Sequence, residues 1–247
     1  MSFFDIFKDT DHKKIKPTQE NKQFNDAFIL ALVHRLRTPL NGARWALDSM
    51  ITSKNIEIDK EVLNEGYNKI LSAIKMVNEI LKVSEINSKD GPLNLKKDKI
   101  NLCDMVDEIL KSLDYLMKKK EITLEYDNKS QPITILGDND VLNMGLTNLF
   151  DNAFRYSPKG KVIVTLSKEN NMAKLVITDN GIGIDEEDLK HMFEKFFRGK
   201  NARLIDPNET GVGLYATKKI IEMHHGKISI DSEVNKWTEV IVKLPID

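Results

Sequence analysis

Cysteine is almost missing from this sequence: Cys103 is the single one in 247 residues. One thiol closes no internal disulfide, and nothing around Cys103 has the Cys/His spacing of a zinc site, so the chain suits a reducing compartment. Long apolar runs are missing too. No stretch approaches the ~20 residues that a bilayer-crossing helix needs. The N-terminus, MSFFDIFKDTDHKKIK, has no apolar run after its first basic residues and does not read as a signal peptide. Phe3, Phe4, Ile6 and Phe7 would make at most a weak surface anchor. Together these absences predict a cytoplasmic protein. An excess of one charge is also lacking: 37 Lys+Arg stand against 38 Asp+Glu, a net charge of -1. Nucleic acid and anionic membrane are therefore not expected as partners. No Gly-Lys-Ser/Thr is present, which excludes a Walker phosphate loop.

What is present begins with balance. Hydrophobic residues make up 40% and charged residues 30%, as in a globular protein with a real core. Residues 1–21 are polar and read as a flexible lead-in. Residues 22–88 read as two helices, about 21–53 and 59–87, the second opened by Asp59 as N-cap. In the first, Ile29, Val33, Leu36, Leu40, Ala43, Leu47 and Met50 recur at alternating steps of four and three. Leu63, Tyr67, Ile70, Ile74, Val77 and Leu81 do the same in the second. A short turn makes them an antiparallel hairpin. One hairpin cannot cover both seams, so two are predicted to pair as a four-helix bundle in a homodimer. Residues 89–95 form a linker in which Gly91-Pro92 stops the helix. From 96 to 247, strand patterns (97–101, 121–126, 132–136, 161–168, 172–178, 227–232, 237–244) mix with helix patterns (102–118, 138–155, 185–195, 211–224). Strands in hairpin-like pairs predict an α+β fold and not a doubly wound parallel sheet.

Four stretches carry chemistry. His34, in VHRLRTPLNG, flanks the first seam, and Pro39 bends the helix just beyond it. A solvent-reachable imidazole there is either a nucleophile or a plain surface histidine. Asn148 and Asn152, in LTNLFDNAFRYSP, share a helix face at i and i+4. Two amide oxygens suit a hard cation that keeps its waters, such as Mg²⁺ on a phosphate ligand, or else form an ordinary polar face. Arg155 and Tyr156 follow within a turn. DNGIGID, from Asp179, leaves an apolar strand; Asp179 can accept from an exocyclic amine, and the glycines allow close approach. ETGVGL opens a helix at Gly211 and Gly213, where free N–H groups favour phosphate. Between the last two, Phe193, Phe196 and Phe197 stand beside Arg198, Lys200 and Arg203. Residues 193–208 read as a mobile loop anchored by that cluster.

In order and spacing, these stretches resemble sensor histidine kinases of the HisKA type across residues ~22–247. HRLRTPLNG looks like the H-box, LTNLFDNAFRYSP the N-box, DNGIGI the G1 box, MFEKFFR the F-box and ETGVGL the G2 box. The resemblance implies that 22–88 is the dimerisation and phosphotransfer hairpin. It implies that 96–247 is a Bergerat-type α/β sandwich that binds ATP, as in DNA gyrase, under a mobile lid. By the same resemblance His34 is the phosphoacceptor and Asn152 the Mg²⁺ ligand, with Asn148 and Arg155 near the phosphates. Tyr156 lines the nucleotide. Asp179 holds the adenine amino group, while Gly181, Ile182, Gly183 and Ile184 pass the base. Phe197 and Arg198 lie toward the γ-phosphate, and Thr210, Gly211, Val212, Gly213 and Leu214 close the lid. Thr38 matches the position that orients a hydrolytic water in members with phosphatase activity. The implied partners are a second copy, a response-regulator receiver domain and an upstream sensor protein.

Two positions depart from the pattern. Arg35 stands directly after His34, where the family has an acidic residue that takes a proton from the imidazole. A cation disfavours a neighbouring imidazolium, so transfer is either slow, helped by another carboxylate, or aided by Arg35 attracting phosphate. Glu209 stands where the G2 box has its first glycine, and its charge would oppose phosphate unless it points away. Both departures keep open a degenerate module that binds ATP or a partner but transfers little phosphate.

Overall fold

The computed structural model of the chain describes residues 37, 40–49, 62–64, 66–67, 69–70, 73–74, 77, 95–128, 132–206 and 209–247. It divides into two compact units, 1–70 and 71–247.

In the first unit, 40–49 is helical, and so are 62–64, 66–67 and 69–70. A methyl at Gly42 would stand 3.4 Å from the Lys69 side chain, and one at Gly66 would stand 2.9 Å from the Ala46 Cβ. As one number rises the other falls, so the two segments run antiparallel. They meet through small residues. Ala43 and Ala46 are buried at 5% and 1% exposure, whereas Leu40, Leu47, Leu63, Tyr67 and Ile70 stay exposed on the single chain. The seam thus splits: Ala43 faces the other helix, and the large apolar side chains do not.

The second unit opens with β1 (Asp98–Asn101), paired antiparallel with β3 (Thr134–Gly137) in a separate two-stranded sheet. A five-stranded sheet follows in the order β2-β4-β5-β7-β6, from β2 (Thr123–Asn128), β4 (Lys161–Glu169), β5 (Met172–Asp179), β7 (Trp237–Pro245) and β6 (Lys227–Glu233). The β2–β4 pair is parallel and the other pairs are antiparallel. All seven strands fall where the patterns put them, in the α+β arrangement expected.

One face of this sheet carries the core. Val162, Val164, Leu166, Leu175 and Ile177 alternate inward along β4 and β5. They meet helices α1 (Leu102–Ser112), α3 (Asn139–Arg155) and α6 (Gly213–Met223), which contribute Val106, Ile109, Phe150, Phe154 and Ile220. Gly145 and several Asn make α3 a poor helix by propensity, at under ~1 kcal/mol each. Burial of Leu142, Leu146, Leu149, Phe150 and Phe154, all at 2% exposure or less, contributes about 1.5–3 kcal/mol apiece and wins. Asp138 caps α3 by accepting from the Val141 N–H at 3.2 Å. The Asp138 N–H donates to Nε2 of His224 at 3.0 Å, and His224 Nδ1 lies 2.8 Å from the Ile220 carbonyl. The start of α3 is so pinned to the end of α6.

Three helices differ from the pattern. The single helix expected over 102–118 breaks at Leu113, and α2 (Asp114–Lys120) follows, ended by Glu121 in the left-handed region. The helix expected over 185–195 stops after α4 (Glu186–Leu189), and further on Phe196 takes φ 64. A short helix, α5 (Lys200–Ile205), forms in the polar loop beyond. Among the described residues no helix is long and apolar enough to cross a membrane.

Candidate functional site

The exposed end of the α3/α6 layer opens into a cleft between these helices, the sheet, and residues of 182–202 and 209–211. Asn148, Asn152 and Tyr156 reach it from one face of α3, at successive steps of four. The far wall is apolar: Leu149, Ala153 and Ile177 lie beside Ile230, Thr238 and Val240 of the β6–β7 pair. Such a cleft, apolar with a few convergent polar groups, suits a small organic ligand.

At one end, β5 delivers Asp179, 7% exposed. Its Oδ1 accepts from the Ser157 hydroxyl at 2.8 Å and from the Gly181 N–H at 2.9 Å. Burial raises the carboxyl pKa above its ordinary 3.8, and these two hydrogen bonds only partly oppose it. A buried acceptor with unspent capacity is built to receive a ligand N–H. The chain itself demands the neighbouring glycines. A Cβ at Gly181 would lie 2.3 Å from the Tyr156 carbonyl oxygen, and one at Gly183, φ +62, 2.1 Å from that of Glu233.

At the other end charge dominates. Arg198 donates to the carbonyls of Glu209 (3.1 Å), Ala202 (3.0 Å) and Asp206, and so gathers both ends of the segment that holds α5. The Lys200 N–H donates to Asp188 Oδ2 at 2.9 Å. The phenylalanines lean on α6 and their own turn: Lys218 lies over the Phe193 ring at 5.3 Å, and the rings of His191 and Phe197 are 5.4 Å apart. Gly211, φ +71, passes so close to Phe197 that a Cβ would lie 2.6 Å from its carbonyl oxygen.

Residues 137–247 match the histidine kinase-, DNA gyrase B- and HSP90-like ATPase family. The chain is 31% identical over 227 residues to the sensor protein SrrB of Staphylococcus aureus (strain MRSA252), covering 90% of this chain and 38% of SrrB. It is 27% identical over 235 residues to the sensor histidine kinase WalK of Bacillus subtilis (strain 168), covering 93% and 37%. Over the length it shares with them, the chain is similar to sensor histidine kinases. It carries that family's ATP-binding domain, and it spans less than half the length of these relatives. The fold is shared with histidine kinase ThkA, solved in complex with the response regulator protein TrrA: the TM-score is 0.73 at 21% identity, covering 93% of this chain and 64% of the other.

The kinase-family positions fall in three groups, with Arg155 apart from them. Asn148, Asn152, Tyr156, Asp179, Ile182, Gly183, Ile184, Phe197, Arg198, Gly211, Gly213 and Leu214 all line the cleft. Gly181, Thr210 and Val212 stand behind it; Thr210 Oγ1 accepts from the Val212 N–H at 3.2 Å and shapes the turn into α6. His34, Arg35 and Thr38 lie outside the described residues. Arg155 differs from the placement that the resemblance implied: it does not line the cleft. It pairs with Asp151 at 2.8 Å, Asp206 at 2.7 Å and Glu209 at 3.6 Å. Burial opposes its charge, yet the carboxylates of Asp151, Glu209 and Asp206 more than offset this and raise its pKa. Glu209 lines the cleft, but its charge is met by Arg155, which answers the conflict expected from the G2-box departure. Ser157 went unmarked in the sequence. Its only local signal is its place after Tyr156, and the bond to Asp179 joins residues 22 apart.

Proposed function

We propose that this chain is an ATP-dependent protein-histidine kinase of a two-component system, acting in the cytoplasm as a homodimer through residues 22–88. The observation that carries the reading is the cleft that joins Asp179 at one end to Asn148, Asn152 and the Gly211–Gly213 turn at the other. Asp179 accepts from the adenine amino group. Tyr156 and the apolar wall take the faces of the base. Gly211 and Gly213 leave backbone N–H groups at the start of α6 for phosphate. The two amides suit Mg²⁺, with Asn152 as its ligand, because they offer neutral oxygens to a cation that retains water. Bound there, Mg²⁺ would neutralise charge on the phosphates. The segment 193–208 closes as the lid.

A ring nitrogen of His34 forms the bond to the γ-phosphorus while the bond to the β–γ bridging oxygen breaks. ADP leaves with the electron pair, and the imidazole sheds its proton to a base or to water. The phosphoryl group then passes from nitrogen to a carboxylate oxygen of an aspartate in a response-regulator receiver domain. The exposed Leu40, Leu47, Leu63, Tyr67 and Ile70 support the dimer, since a second hairpin would cover them. An upstream sensor protein would supply the signal.

The test is mass-spectrometric mapping of acid-labile phosphate after incubation with Mg²⁺ and ATP. Phosphate on His34 is expected; label that persists in His34→Ala would sink the assignment. Arg35 favours a second reading, a degenerate ATP-binding module. General-base help amounts to roughly 10²–10⁴-fold in rate. On the kinase reading the wild type labels slowly and Arg35→Glu faster. ATP bound with no label in either variant supports the degenerate module.

A further inference from the structure

Thr217 lies on α6, one turn beyond Gly213, and is 1% exposed. Its hydroxyl oxygen is 3.0 Å from the Gly213 carbonyl oxygen, 3.3 Å from that of Gly145 and 3.1 Å from Nδ2 of Asn148. A hydroxyl has one hydrogen and two lone pairs. Both carbonyls can only accept, so together they claim the hydrogen. The side facing Asn148 is then a lone pair, and it requires a donor. The Asn148 amide must turn its NH₂ to Thr217 and its oxygen the other way. With the amide reversed, two oxygens would face each other with no proton between them. A buried threonine often bonds back to the carbonyl four residues earlier, and that accounts for Gly213. It does not account for the bond to Asn148, which lies on a different helix, 69 residues away. The amide oxygen rests against Gly213, where a Cβ would stand 2.4 Å from it. Asn148 lines the cleft beside Asn152.

We propose that Thr217 is a positioning residue: it locks the Asn148 amide with its oxygen toward the cleft. Asn148 then serves as an acceptor for Mg²⁺ or the waters that Mg²⁺ keeps, and not as a donor to phosphate. This rests on the Mg²⁺–ATP reading above. Reversed, the amide would aim two N–H groups at a cation, so the orientation decides whether Asn148 helps or hinders the metal.

The test titrates the full chain with a non-hydrolysable ATP analogue, with and without Mg²⁺. Thr217→Val removes the hydroxyl at nearly the same volume, and Thr217→Ser keeps it. Mg²⁺ should tighten analogue binding in the wild type and in Thr217→Ser to within about twofold of each other. Thr217→Val should lose roughly 10-fold of that tightening, the scale seen when a group behind a metal site is removed, with metal-free affinity unchanged. In an Asn148→Ala background, Thr217→Val should cost nothing more. A full Mg²⁺ effect in Thr217→Val, or losses that add in the double variant, overturns the lock. The wild type alone gives another reading. The Asn148 side-chain N–H pair should exchange slowly with solvent, with or without Mg²⁺, and fast exchange overturns the lock too. If the wild type binds no nucleotide, the ATP reading falls and takes this proposal with it.

Discussion

The two ends of the cleft are built on different principles. The Asp179 end is held by backbone and hydrogen bonds: Ser157 and Gly181 grip one carboxylate oxygen, and two glycines let the loop after β5 pass the Tyr156 and Glu233 carbonyls closely. The lid end is held by charge. Arg155 is shared among Asp151, Asp206 and Glu209, and Arg198 among three carbonyls. Such pairs can be exchanged for a phosphate at little net cost, because one set of charge-assisted bonds replaces another. On the ATP reading proposed above, the difference would divide the labour: the rigid end would read the base, and the charged end would change partners when phosphate arrives.

The largest effect should come from the rigid end. In Asp179→Asn the amide oxygen can keep both bonds to Ser157 and Gly181, but its NH₂ meets the adenine amine donor to donor. Calorimetry should record a loss of ATP affinity on the order of 100-fold, the scale for a buried pair left unsatisfied. Unchanged affinity would erase the distinction between the ends.

A smaller effect belongs to the lid end. Asp206→Asn removes one hold on Arg155, which stands behind the cleft-lining Glu209, and lowers the cost of its turning inward to a phosphate. ATP binding should tighten about fivefold while adenosine binding stays as it was, since the pair is partly exposed and screened. Weaker ATP binding would mean that Asp206 shapes the lid for binding.

The Asp179 carboxylate also gives a stability prediction. Because burial raises the Asp179 pKa, the folded state holds its proton more tightly than the unfolded state does. Stability therefore falls as pH rises from 3.8 through the folded value, and at neutral pH the ionised group is a burden. Asp179→Asn should melt about 2–4 °C higher, equivalent to roughly 1 kcal/mol. A lower melting point would show that the ionised carboxylate stabilises the empty fold.

Much of this was legible beforehand. The seven strands follow from alternation, and α3 from its buried stripe, because both signals are local and periodic. The polar residues of the N-, G1 and G2 boxes converge because a sheet end and two helix termini bring them together. What escaped notice is not periodic. The break at Leu113 and the early end of α4 after Leu189 interrupt the expected helices without Gly or Pro to mark them. Ser157 and Asp179, Arg155 and Asp206, Asn148 and Thr217 are partners 22, 51 and 69 residues apart, and no local spacing announces them.

The smallest predicted effect concerns the pin that holds both ends in one frame. Burial lowers the His224 pKa below 6.5, and the ring already accepts from the Asp138 N–H. Protonation would set donor against donor. The folded state prefers the neutral ring, so its contribution is complete above pH 6.5 and is lost as pH falls from there through the folded value. Melting curves between pH 7.5 and about 5 should decline less steeply in His224→Gln than in the wild type. Parallel curves would remove His224 from the account.

The central claim is that the rigid end selects the base. Competition calorimetry of ATP against GTP on the wild-type chain, at fixed Mg²⁺, tests it most directly. On the ATP reading Asp179 would accept from an amine at the position where guanine presents a carbonyl oxygen, and acceptor would face acceptor. The account predicts that ATP binds about 100-fold more tightly than GTP. Equal affinities would contradict it.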